Sequence, residues 1–150
     1  MARVKLELPA QLPWSTELRV RVTDINYGGH LGNDALLGLI HEARARFMSA
    51  QGYSELDVEG LGIIIADAVL VYRSEAFFGE TLRIHIGADD YNRYGCDLFY
   101  RVESADEPPR EVARVKTGLV FFDYASRRPA SMPEAFRARL QALESDNNGV

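Results

Sequence analysis

Leu18, Val20 and Val22 alternate with Arg19, Arg21 and Thr23, the period-2 pattern of a strand with one wet face. The segment that follows, Asp24 to Gly32, carries Gly28, Gly29 and Gly32 and is too glycine-rich for a regular element. Asn33 and Asp34 then supply an acceptor for a helix cap and negative charge for a first turn. From there Leu36, Ile40, Ala43 and Phe47 recur at helical spacing, flanked by Leu37, Leu39 and Met48. The spacing predicts a helix to about Ala50, stopped by Gly52.

Leu61 to Tyr72 is nearly all apolar and rich in β-branched residues, which predicts a strand covered on both faces. The next strand alternates Leu82, Ile84 and Ile86 with Arg83 and His85, and another runs from Cys96 to about Val102. The last runs from Val112 to about Tyr124 through Gly118, a bulge or close-packing point. Ser131 and Glu134, with Pro133 between them, read as a capping box opening a short helix over about 132–144. Residues from Ser145 onward should fray.

The order is strand, helix, then four strands in hairpin succession. The sheet needs one face covered, and the apolar helix is the element able to cover it. The expected class is α+β: an antiparallel five- to six-stranded sheet wrapped around one long central helix. No repeat, linker or change of composition divides the chain, so one domain is expected, with its core at about 15–125. The Leu61–Tyr72 strand is too apolar for an open sheet, which points to a homodimer and leaves a dimer of dimers open.

The 150 residues contain 47% apolar and 26% charged side chains, the balance of a globular domain. With 17 basic against 22 acidic residues the net charge is −5, which argues against a general nucleic-acid binder. The lone Cys96 excludes an internal disulfide and a cysteine-based zinc cluster, and suits the reducing cytoplasm. No apolar run approaches the ~20 residues of a membrane span. Met1 to Pro9 lacks the apolar block of a signal peptide.

Asp24-x-Asn26-x3-His30-x2-Asn33, set between a strand and a helix carrying His41-Glu42-Ala43-Arg44, resembles the signature of hotdog-fold thioesterases of the 4-hydroxybenzoyl-CoA thioesterase type. Those proteins typically read Asp-x-Asp, then glycine or asparagine, then His-Val-Asn-Asn, with a Glu-x-x-Arg or Glu-Ala-Arg helix after it. Val71-Tyr72-Arg73 followed by Gly79-Glu80-Thr81-Leu82 is similar to their second strand and hairpin. The resemblance implies a hotdog fold, an acyl-CoA or acyl-carrier-protein substrate and hydrolysis of its thioester. It also implies no cofactor beyond the coenzyme A of the substrate, and no metal. Asn26 departs from the pattern, because the family's second acidic residue is its working carboxylate, and an amide is neither base nor nucleophile.

Thioester hydrolysis needs a base near a water and donors aimed at the developing oxyanion. Gly28 and Gly29 let backbone N–H groups approach a ligand, and the helix N-terminus adds partial positive charge. His30 is a further donor or a structural loop histidine. Asp24 is a base, an Asx-type turn residue or a partner of Arg19 or Arg21. Asn33 reads as the helix cap and Asp34 as a first-turn partner of the dipole, and both are substrate-binding candidates. Glu42 pairs with Arg46 at i, i+4 or supports the site. Asp67 interrupts an apolar strand, where a carboxylate is costly unless hydrogen-bonded or functional, so it is the second candidate base. Arg73, Arg93, Arg101, Arg114, Lys116, Arg127 and Arg128 are available for coenzyme A phosphates. Two other functions stay open: a non-hydrolytic acyl-thioester binding protein, which Asn26 favours, and a hotdog dehydratase or hydratase using His30 and an acid.

Overall fold

Leu82, Ile84 and Ile86 are fully buried while Arg83 and His85 remain half-buried, so the alternation becomes strand β3 (Thr81–Asp89) of an antiparallel sheet. The structure is a computed structural model that describes residues 3–148. The other strands are β1 (Trp14–Arg19), β2 (Gly62–Tyr72), β4 (Gly95–Ser104), β5 (Glu111–Asp123) and the two-residue β6 (Arg128–Pro129). They lie in the order β1-β3-β4-β5-β2, with β6 paired to β5. Helix α1 (Asn33–Ala50) presses Leu36, Leu39, Ile40, Ala43, Phe47 and Met48 into the same core as β3 and β4. A sheet wrapped on one long helix is the expected hotdog arrangement. The closing helix α2 (Glu134–Asn148) adds Phe136 and Leu140 to that core, with Phe136 edge-on to Phe121.

Several boundaries differ from expectation for local reasons. β1 ends at Arg19, and Val22 lies 68% exposed in a 3-10 turn over Val22–Asp24. The Asp24 carboxylate causes the bend by accepting the Arg21 backbone N–H at 2.8 Å. The cap of α1 is Gly32, not Asn33, which is already helical. The bulge expected at Gly118 falls on its partner strand, between Ile65 and Asp67. Gly118 is still a close-packing point, because a Cβ there would lie 2.6 Å from Asp67 Oδ1. Helix α2 opens at Glu134, with the Pro133 carbonyl accepting from the Phe136 and Arg137 amides, and it continues to Asn148. The fraying expected from Ser145 is therefore not found as far as Asn148, and the last two residues lie outside those described.

One chain does not by itself supply the cover expected on both faces of β2. The strand pairs only with β5 and forms an edge of the sheet, with Ile64 and Ile65 each 37% exposed and residues 66–68 exposed. One chain therefore leaves an apolar strand with an open hydrogen-bonding edge, instead of covering both its faces.

Candidate active site

The loop before α1 folds back on itself through backbone bonds. The Asn26 amide donates to the His30 carbonyl at 2.9 Å, the Gly29 amide to the Asn26 carbonyl at 3.1 Å, and Ile25 bridges Leu31. Gly29 takes φ +84° to make the turn, a conformation that favours glycine. Two bonds hold the hairpin in place. The Gly32 amide reaches the Asp24 carbonyl at 2.9 Å, and the Leu31 amide reaches the Ala76 carbonyl at 2.7 Å. Between this loop, the first turn of α1 and the segment after β2 lies a cleft of about 1010 Å³.

Asn26 and His30 meet in that cleft across Gly28. A Cβ on Gly28 would lie 3.2 Å from Asn26 Oδ1 and 3.3 Å from His30 Nε2. The Asn26 oxygen is occupied by its own loop, accepting from the Gly28 amide at 2.9 Å and the His30 amide at 3.5 Å. That arrangement leaves Nδ2, a donor only, for a ligand. His30 Nδ1 lies 3.3 Å from the Leu31 carbonyl. A carbonyl can only accept, so a neutral ring serving this contact carries its proton on Nδ1 and leaves a lone pair on Nε2. Nε2 lies 3.8 Å from Glu75 Oε1, which also only accepts, so the two attract as an ion pair only when Nε2 takes up a proton.

Helix α1 delivers its positive end to the same place. Gly32 offers no side-chain cap, and the first helical bond, Leu36 amide to Gly32 carbonyl, forms at 3.1 Å. The amides of Asn33, Asp34 and Ala35 therefore have no intrahelical acceptor, and Asn33 and Asp34 line the cleft. The Tyr72 hydroxyl donates to the Asn33 carbonyl at 2.9 Å and ties the end of β2 to this turn. Burial and then the charge of Asp34 push the Tyr72 phenol above its ordinary value, so it stays a protonated donor.

Of the residues singled out from the sequence, Asn26, Gly28, His30, Asn33 and Asp34 come together in the cleft, and Gly29 shapes its loop. Asp24 lies beneath, buried, with its oxygens accepting from Arg21 Nε at 3.2 Å and Nη2 at 3.0 Å. Burial alone would raise the Asp24 carboxyl, but the Arg21 hydrogen bonds and charge outweigh it and hold it below the usual range. Asp24 is thus bonded to Arg21 and is not among the residues that line the cleft. Asp67 is exposed and five residues along β2 from Tyr72, roughly 16 Å at strand rise. Its Oδ1 is taken by Lys116 Nζ at 2.9 Å and the Gly118 amide at 3.0 Å. The apolar strand tolerates this carboxylate because the edge position is wet. Glu42 pairs with Arg46 at 3.3 Å in a separate shallow groove.

Sequence reasoning missed Glu75 as a site residue. Its only signal is position, a carboxylate three residues after Tyr72 on the segment that meets the loop. Of the seven candidate phosphate cations, only Arg73 lines the cleft. Among the described residues no group of three His, Cys, Asp or Glu side chains is placed to hold a metal ion, and no helix is long and apolar enough to cross a membrane.

Residues 20–140 match the model of the thioesterase-like superfamily, and the chain belongs to that family. Solved structures agree in fold. The chain is similar to a 1,4-dihydroxy-2-naphthoyl-CoA thioesterase from Synechocystis, at 19% identity and TM-score 0.77 over 87% of this chain and 96% of that one. It is similar to a Thermus thermophilus thioesterase complexed with coenzyme A and zinc, at 23% identity and TM-score 0.75 over 89% and 95%. An aspartate-to-asparagine variant of 4-hydroxybenzoyl-CoA thioesterase, complexed with 4-hydroxybenzoyl-CoA, matches at 15% identity and TM-score 0.76 over 85% and 97%. No curated protein sequence matches the chain.

Proposed function

We propose that the chain is an acyl-CoA thioesterase that hydrolyses its substrate in this cleft. The carrying observation is the convergence of Asn26, the first turn of α1, whose amides have no intrahelical acceptor, and the His30–Glu75 pair on one cavity. Donors held in place before reaction stabilise the oxyanion as it forms. Water attacks the carbonyl carbon while His30 Nε2 takes its proton, and the Glu75 carboxylate stabilises the resulting imidazolium. The carbon–sulfur bond then breaks, and His30 returns the proton to the departing sulfur. The products are a carboxylic acid and free coenzyme A. The carboxylate assists here through the histidine, because Asp24 is bonded to Arg21 and Asp67 stands outside the cleft.

The working unit is a homodimer joined at the β2 edge, in which the unpaired strand and Ile64 and Ile65 find cover. A cytoplasmic location suits the reduced, buried Cys96 thiol. The test is thiol release across a panel of acyl-CoA chain lengths, with His30→Gln as the control variant. Absence of release from any member, by folded protein, sinks the proposal.

One observation favours a second reading, a protein that binds acyl thioesters without hydrolysing them. Asn26 carries no titratable group where relatives place a carboxylate, and the asparagine variant of a relative is seen with its thioester bound. Ligand-induced thermal stabilisation without thiol release would decide for it.

A further inference from the structure

Beside the cleft, three guanidinium groups bear on one carboxylate. Glu111 Oε1 is 3.0 Å from Arg73 Nε and 3.0 Å from Arg114 Nε, and Oε2 is 3.6 Å from Arg101 Nε. A bulge makes this possible. The β4–β5 register slips between Val102, opposite Ala113, and Glu103, opposite Glu111, so Val112 is an extra residue. Strict alternation would turn Glu111 to the side of the buried Ala113, whereas the slip turns it to the side of Arg114. The cluster crosses β2, β5 and β4, roughly 10 Å at ordinary strand spacing.

One glutamate against three arginines leaves an excess of two positive charges on a chain of net charge −5. The neighbouring acids have other partners: Glu103 is 2.7 Å from His85 Nε2, and Glu80 and Asp106 lie 2.6 and 3.5 Å from Arg110. Arg114 also gives Nη1 to the Leu6 carbonyl at 3.2 Å. The side chains of Arg73 and Arg101 are 47% and 40% exposed, so guanidinium edges remain open to a ligand. An ion pair alone needs one arginine. Three arginines at one carboxylate keep N–H donors that Glu111 does not take up, and planar donor forks match phosphate oxygens. Arg73 belongs to both the cluster and the cleft, which makes the two surfaces continuous.

We propose that Arg73, Arg101 and Arg114 bind the nucleotide phosphates of a coenzyme A thioester whose acyl end occupies the cleft. The proposal rests on reading that cleft as an acyl-thioester site, and it selects coenzyme A over carrier-protein substrates, which lack the nucleotide. The breadth of the cluster suits phosphates on two sides of a ribose better than one isolated phosphate. Glu111 spaces the arginines and competes with the ligand for them.

The test is calorimetric binding of coenzyme A, adenosine 3′,5′-bisphosphate, pantetheine and inorganic phosphate, so it does not depend on turnover. Arg101→Gln with Arg114→Gln should weaken both nucleotide ligands about tenfold or more, the scale of a lost charge-assisted contact. Glu111→Gln should tighten them a few-fold, the reverse of what a merely structural glutamate gives. Nucleotide affinity unchanged in folded variants overturns the proposal, as does weaker binding in Glu111→Gln. An equal loss of pantetheine binding, or inorganic phosphate binding as tightly as the nucleotide, also overturns it. Coenzyme A binding without thiol release in the acyl-CoA assay would instead sink the hydrolytic reading and leave this one standing.

Discussion

Asn26→Asp isolates the role of one atom. The Asn26 oxygen holds the loop by accepting the Gly28 amide at 2.9 Å and the His30 amide at 3.5 Å. An aspartate keeps both bonds, because a carboxylate oxygen accepts at least as well. What changes is Nδ2, a donor facing the cleft, which becomes an acceptor with negative charge. Folding stability should therefore move by about 1 kcal/mol or less, since the exchanged group is at the cleft surface and both loop bonds persist. Catalysis should suffer far more. Loss of one preorganised oxyanion donor costs about 2.7–4 kcal/mol, so kcat should fall roughly 10²–10³-fold. The assay is thiol release from a saturating acyl-CoA, with urea unfolding of both proteins as the check on stability. Wild-type or higher turnover in Asn26→Asp refutes the reasoning. It would mean that this position works as a base and that the donor assignment is wrong.

Other outcomes test the frame around the site. Arg44 and Glu55 form an ion pair at 2.9 Å, with side-chain exposures of 7% and 27%. Glu55→Ala strands a buried guanidinium and should cost about 3–5 kcal/mol, whereas Arg44→Met with Glu55→Ala should cost clearly less, as urea unfolding would show. Equal losses in the single and double variants would refute that account. Asp24, held low by Arg21, contributes stability above its unfolded value of about 3.9 and loses it as pH falls through its lower folded value. Wild type should therefore exceed Asp24→Asn in urea midpoint near neutral pH, with the gap closing in acid; a gap that widens below about pH 4 argues otherwise. Ile64→Lys places charge on the open β2 edge and should shift the proposed dimer to monomer in sedimentation, while wild-type association in this variant would refute β2 as the proposed interface.

Local regularity explains what could be read without coordinates. Leu36, Ile40, Ala43 and Phe47 lie on one buried stripe of α1, and Leu82, Ile84 and Ile86 on one buried face of β3, because those periods follow from backbone geometry alone. The Asp24–Asn33 segment likewise announced its loop through its glycines, and Asn26, His30 and Asp34 did prove to share a cleft. Asn33 was misjudged as the cap because sequence cannot distinguish a capping side chain from a glycine whose backbone alone makes the turn.

What depended on tertiary structure is whatever needs two distant segments to meet. An apolar run such as Gly62–Tyr72 declares that it will be covered, but its rank in the sheet decides whether this chain does the covering. Here the order β1-β3-β4-β5-β2 leaves it at an edge, and that position makes Asp67 a wet partner of Lys116. Glu75 joined the site only when Leu31 bonded to Ala76, and Glu111 came to face three arginines only through the slip at Val112. Sequence by itself determined the elements and the chemistry available, since both are local properties. Packing decided which of those groups share a cavity, because distance across a fold is set by pairing and register, not by spacing along the chain.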